Sequence, residues 1–158
     1  MAILERTTRN IDNRCWNPGS DYFPVKNRYT AGVAGQRFFS ELKENGKLLG
    51  ALCNKCSITY VPARIYCERC FARLDDWNNV GLEGSVYAFT LMHKNKSGEN
   101  LDKPILFAAV RIADGLIVHK LEDCSASEVW IGMPVKAELK GIDDRQGGLT
   151  DIICFKPL

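Results

Sequence analysis

Histidine is nearly absent from this chain: there are two in 158 residues, His93 and His119. Neither lies in a nucleophile motif, so a satisfied or solvent-facing imidazole is the better account of each. A strong charge of either sign is also missing. The formal net charge is +2, and residues 81–158 carry eleven acidic against nine basic side chains. A slightly acidic C-terminal half speaks against a nucleic-acid groove there. No run of about 18 apolar residues occurs, so no membrane span is expected. Neither G-x-G-x-x-G nor a P-loop is present, which removes the common phosphate-cradling loops. Internal repeats and low-complexity tracts are lacking. The adjacent carboxylates Asp75-Asp76, Glu122-Asp123 and Asp143-Asp144 fall mostly in turn-like stretches, as solvated loops do. Residues 1–10 hold charges without an apolar segment, so they are not expected to act as a secretory signal.

Cysteine, by contrast, is plentiful, with seven residues. Four form two C-x-x-C units, Cys53-Asn-Lys-Cys56 and Cys67-Glu-Arg-Cys70, ten residues apart. A C-x-x-C turn points both sulfurs at one centre, and two such turns supply a tetrahedron with zinc–sulfur bonds of about 2.3 Å. The intervening Ile58, Thr59, Tyr60, Val61, Ile65 and Tyr66 favour short strands, which makes the segment a zinc ribbon with a structural zinc ion. Four protein thiolates leave no position open for catalysis. Lys55, Arg69 and Arg64 are at hand to offset the thiolate charge. Three other readings compete. A redox dithiol needs only one C-x-x-C on a βαβ background. A disulfide pair fits a reducing compartment poorly. A rubredoxin-type iron site uses similar spacing, but Ser57 and Phe71 stand where glycines usually follow its cysteines. The odd remainder, Cys15, Cys124 and Cys154, points to a cytoplasmic chain. Glu122 and Asp123 should raise the Cys124 pKa.

The rest of the chain divides into an arm (1–29), a helical segment (30–46), the ribbon (47–80) and a β domain (81–158). The arm has Trp16, Tyr22 and Phe23 among turn residues, a composition suited to lying across a surface, its own or a partner's, rather than to disorder. Phe38, Phe39 and Leu42 share one face of a helix from about Ala34 to Asn45. That face either packs on the ribbon or meets a partner. Asn45-Gly46 should stop the helix, and Trp77 should plug the small ribbon core. Beyond Gly81 the period becomes that of strands, with strands expected at 85–93, 104–112, 116–121, 135–142 and 149–155. Asp114-Gly115 signals a hairpin, and Ser125-x-x-Glu128 signals a short helix between the third and fourth strands. This order is that of a five-stranded OB barrel. The class is therefore mainly β with a short N-terminal helix: a rubredoxin-like ribbon, then an OB-fold. Residues 93–103 should form a polar loop bearing Lys94, Lys96 and Lys103.

The run Phe38-Phe39-Ser-Glu-Leu42, Gly46-Lys47-Leu48, Cys53-x-x-Cys56, Val61-Pro62-Ala-Arg64, Cys67-x-x-Cys70, Gly84-x-Val86-Tyr87-x-Phe89-Thr90 and Ile131-Gly-Met133-Pro-Val135 resembles the DUF35 zinc-ribbon/OB-fold proteins. Ala63 replaces the second proline of that family's P-P-x-R element, and residues 1–29 lie outside the common core. The resemblance implies a non-catalytic small subunit accompanying a thiolase-superfamily enzyme, as in benzoylsuccinyl-CoA thiolase. It implies a hetero-oligomer with that catalytic subunit and an acyl-CoA as its substrate. Partner contact is then expected from Trp16, Tyr22, Phe23, Phe38, Phe39 and Leu42. Lys94, Lys96 and Lys103 either meet the phosphates of a coenzyme A ester held by the partner or belong simply to a solvated loop. The reading from a different class is a nucleic-acid module, since ribbons and OB barrels both bind strands.

Overall fold

The computed structural model describes residues 31–158 apart from Lys96; Trp16, Tyr22, Phe23 and Lys96 thus fall outside the described residues. Helix α1 (Gly32–Asn45) turns Ala34, Phe38 and Leu42 inward at a spacing of four, one stripe of a 3.6-residue period. It stops as expected. Gly46 takes the left-handed conformation (φ 63°), and its N–H bonds to the Leu42 carbonyl at 3.2 Å.

The ribbon strands β1 (Leu49–Cys53), β2 (Ile58–Tyr60) and β3 (Asp76–Asn79) form an antiparallel sheet in the order β2-β1-β3. The second sheet holds β4 (Glu83–Lys94), β5 (Asn100–Ile112), β6 (Gly115–Lys120), β7 (Pro134–Leu139) and β8 (Ile152–Pro157), in the order β6-β5-β4-β7-β8. A bridge between Leu121 and Phe155 joins the two ends of this order, closing the barrel. Alternate residues of each strand fill it: Val86, Ala108, Val110, Ile112, Ile117, Val135, Ala137 and Phe155 are buried in one cluster. Phe38, Leu42, Leu48, Leu49 and Val61 belong to that same cluster. The helix and the inner strand of the ribbon therefore complete the barrel core.

Several local expectations shift. Residues 93–103 are mostly strand, so the polar loop shrinks to the tip of a long β4–β5 hairpin. The short helix after Ser125 is a turn. Glu128 does accept the Ser125 N–H at 2.7 Å, half of a capping box, and Val129 N–H bonds to the Ser125 carbonyl at 3.2 Å. Gly132 at φ 96° then leads straight into β7, and a single turn does not repay helix nucleation. Ile142 and segment 149–151, expected at the ends of strands, lie instead in single 3-10 turns, 142–144 and 149–151. The hairpin near Asp114 turns on Ala113 (φ 50°) and Asp114, with Ile112 opposite Gly115. Gly115 answers a different demand: a Cβ there would lie 2.0 Å from the Val61 carbonyl oxygen. Asp114 binds the ribbon too, accepting the Thr59 N–H at 2.8 Å. Ribbon and barrel thus meet along a tight backbone seam.

The sequence did not mark the role of Asp151. Its carboxylate is fully buried and accepts N–H bonds from Gln146 at 2.8 Å and Gly148 at 3.2 Å, with Gly147 also donating. This clasp orders the loop that carries Arg145.

Candidate metal centre

Each knuckle is a tight turn fixed by its own backbone. Ser57 N–H bonds to the Cys53 carbonyl at 2.7 Å, and Phe71 N–H to the Cys67 carbonyl at 3.0 Å. Both turns finish on a left-handed residue, Ser57 at φ 53° and Phe71 at φ 56°. The backbone therefore adopts the glycine-like conformation without glycine, and the missing glycines are no guide to the metal. Phe71 also leaves its ring 79% exposed.

The turns bring together all four predicted sulfurs. Cys53 and Cys70 Sγ lie 3.5 Å apart, Cys56 and Cys67 Sγ 3.8 Å, and all four ligand atoms fall within 4.8 Å of one another. Tetrahedral zinc with bonds of about 2.3 Å requires sulfur separations of about 3.8 Å, so the set fits a zinc ion. The disulfide reading drops out, because the described cysteines are all free thiols. Among the described residues this is the one cluster of three or more His, Cys, Asp or Glu side chains that could hold a metal.

The four corners are not equivalent. Cys53 and Cys67 are buried, Cys56 is half-buried and Cys70 exposed. The buried Tyr60 hydroxyl lies 3.2 Å from Cys67 Sγ, and Arg69 N–H donates to the same sulfur at 3.4 Å. The Tyr60 hydrogen bond is the main cause drawing the Cys67 thiol down to about 6. The same contact pushes Tyr60 up to about 12. A hydrogen bond with the Cys70 sulfur is the main cause pushing the Cys56 thiol up to about 12. Without metal, the Cys67 thiol, which has a fixed donor, therefore ionises more readily than that of Cys56. Arg64, expected to offset the thiolate charge, ion-pairs with Glu68 and stacks 5.2 Å over the Tyr60 ring. The part of Tyr60 was not legible beforehand, since no spacing marks a tyrosine that bonds a sulfur.

Other candidate residues scatter. Phe38 and Leu42 are fully buried, and Phe39 packs partly buried against the same core. Of the two readings of that helix face, packing is the one realised: Phe38 and Leu42 have no surface to offer a partner. Trp77 is half-buried between the two cores, with the Arg37 guanidinium 5.0 Å over its ring. Lys94 and Lys103 are exposed near the far end of the β4–β5 hairpin. His93 is exposed; His119 is half-buried, and its Nδ1 has no hydrogen-bond partner among the described residues. Burial raises the Cys124 thiol, with Glu128 and Asp123 adding to it. Cys154 is buried and pushed up to about 12, chiefly by burial. No helix of the described residues is long and apolar enough to cross a membrane.

Comparison with known proteins agrees with this architecture. Residues 40–76 match the ChsH2 rubredoxin-like zinc ribbon domain, and residues 77–140 match the ChsH2 C-terminal OB-fold domain. A DUF35 domain-containing scaffold protein of Methanocaldococcus jannaschii is 29% identical over 127 residues, covering 77% of this chain and 89% of the relative. A scaffold protein of the same description from Pyrococcus furiosus is 25% identical over 125 residues, covering 77% and 91%. A solved DUF35-family structure of unknown function from Sulfolobus solfataricus superposes with a TM-score of 0.60 at 27% identity, over 80% of this chain and 87% of the other. A solved Ltp2-ChsH2(DUF35) aldolase chain gives a TM-score of 0.55 at 20% identity, over 77% and 92%, a likeness of fold.

Proposed function

The chain belongs to the DUF35 family of zinc-ribbon/OB-fold proteins, and from that premise we propose that it is a zinc-bearing accessory subunit of an acyl-CoA enzyme. It docks on a thiolase-superfamily catalytic subunit and shapes the acyl-CoA site that the partner holds. What supports this role is one observation about the converging ligands. Four cysteines of one ribbon close a coordination sphere with protein sulfur alone, so the metal holds structure and leaves no site for substrate. The similar proteins that carry a functional description are called scaffolds, and one solved fold neighbour is named with an aldolase, Ltp2.

Zinc would be held by Cys53, Cys56, Cys67 and Cys70 and would supply a rigid cross-link between the two knuckles. Tyr60 and the Arg69 amide hold the Cys67 sulfur in place from outside that sphere. The test is purification of a tagged full-length chain from its native cell, followed by mass spectrometry and metal analysis. A thiolase-superfamily subunit and one equivalent of zinc are expected, with acyl-CoA turnover by the complex and none by the isolated chain. Turnover of an acyl-CoA by the isolated chain, or capture of nucleic acid with no catalytic subunit, would overturn the proposal.

A further inference from the structure

The long hairpin outruns the barrel it belongs to. Strand β4 has 12 residues, yet β7 pairs only with Glu83, Gly84 and Ser85. Val86 is met by the next turn, giving its N–H to the Met133 carbonyl at 2.9 Å and accepting the Gly132 N–H at 2.7 Å. From Tyr87 to Lys94 the outer edge of β4 has no strand beside it among the described residues. Eight residues of strand span roughly 27 Å.

Edges left open in stable monomers are blunted by charge, proline or very short length. Here the sequence is Tyr-Ala-Phe-Thr-Leu-Met-His before Lys94. Register shifts at Tyr87 and at His93 are its blunting devices, and the row from Ala88 to Met92 between them is regular. Phe89 and Leu91 lie opposite the buried Ala108 and Leu106, so they continue the barrel's inner face past the point where the barrel covers it. Tyr87, Phe89 and Leu91 are 47%, 40% and 37% exposed, and Trp130 and Ile131 at the root of the edge are 56% and 69% exposed. Together they present on the order of 500 Å² of mostly apolar side chain, against about 800 Å² per partner in a standard stable interface.

We propose that this edge, Tyr87–Lys94 with Trp130 and Ile131 at its root, is the docking surface, and that its occupant is an extended segment of the catalytic subunit pairing alongside β4. The identity of that subunit rests on the function proposed above. The backbone chemistry selects an extended segment, because a row of N–H and C=O groups is satisfied along its whole length only by another strand. Charge selects against a second copy. Lys94 and Lys103 form no ion pair among the described residues. Antiparallel self-pairing centred on Thr90 would set each Lys94 against Val86 of the other copy. The nearest acid on that strand, Glu83, already pairs with Lys136 at 3.1 Å. A foreign strand flanked by acidic side chains matches both the apolar row and its cationic end.

The experiment uses the full-length chain and the catalytic subunit that co-purifies with it. Hydrogen exchange of the wild-type complex is expected to slow at the amides of Tyr87–Lys94 relative to the free chain. The double variant Phe89→Lys/Leu91→Lys, shown to keep its zinc and its melting temperature, is expected to bind about 100-fold more weakly. If the variant loses its fold, Ile131→Lys and the wild-type exchange pattern carry the test. Unchanged exchange at Tyr87–Lys94 in an intact complex overturns the proposal and leaves the accessory-subunit role standing. Absence of any catalytic subunit overturns both. A homodimer of the free chain that the double variant separates would name a second copy as occupant. Protection in the free chain that disappears on deleting residues 1–30 would name the chain's own arm. Either result refutes the proposal.

Discussion

The ribbon and the barrel solve the same problem by different means. The barrel cluster is large and apolar, with Phe38, Leu42, Val110, Val135 and Phe155 fully buried. The ribbon's own cluster is six residues, two of them the metal-facing Cys53 and Cys67. An apolar core of that size cannot offset the conformational entropy of the strands around it, so the ribbon needs its cross-link. The barrel tolerates loss of a side chain in proportion to volume; the ribbon should fail outright when one sulfur goes. The two are also not independent, since Val61, next to the knuckles, is part of the barrel cluster.

The comparison can be broken most forcefully at the ribbon. Cys67→Ser is expected to abolish zinc binding and unfold residues 47–80, because structural zinc supplies about 10–16 kcal/mol to such modules. Metal analysis with residue-level hydrogen exchange checks this, and slow exchange in the barrel strands marks the division. Phe155→Ala should cost about 3–5 kcal/mol in a denaturant titration while zinc content stays at one equivalent. Gly115→Ala tests the seam. Its Cβ would strike the Val61 carbonyl, so a loss of about 1–3 kcal/mol is expected, with faster zinc release to a chelator than from wild type. If zinc release is unchanged, the two regions are less coupled than the contact implies.

The smallest effect concerns pH. Burial holds the His119 imidazole below its ordinary value of 6.5. The unfolded chain then takes up a proton more readily than the folded one. Stability from this group is complete above pH 6.5 and is lost as pH falls from there through the lowered folded value. A His119→Phe variant should show a shallower decline in denaturation midpoint over that window than wild type, while zinc content stays the same.

Much of this was legible in the sequence because it is local. Two C-x-x-C units at close range name their own ligands, and alternation over 85–93 and 104–112 names strands. Gly46 stops its helix because a left-handed residue was needed there. What escaped was set by distant contacts. Whether Phe38 and Leu42 faced a core or a partner depended on barrel residues about a hundred positions away. Gly115 resembled a turn residue, but its size is fixed by a ribbon carbonyl. The helix signal at Ser125-x-x-Glu128 was half right: its hydrogen bond forms, and the next strand begins before a second turn can. Phe71 sits in a left-handed conformation with an exposed ring, and nothing in local propensity suggests it.

Arg145 reaches across the chain to the end of α1, its guanidinium donating to the Lys43 carbonyl at 3.5 Å across 102 positions of sequence. That contact sets a clock on biosynthesis. A ribosome adding about 5–20 residues per second needs roughly 5–20 s to travel from Lys43 to Arg145. During that interval Phe38 and Leu42 have been made but the barrel that buries them has not. The four ribbon cysteines are made early in the same interval, so the whole ligand set exists before the barrel strands do.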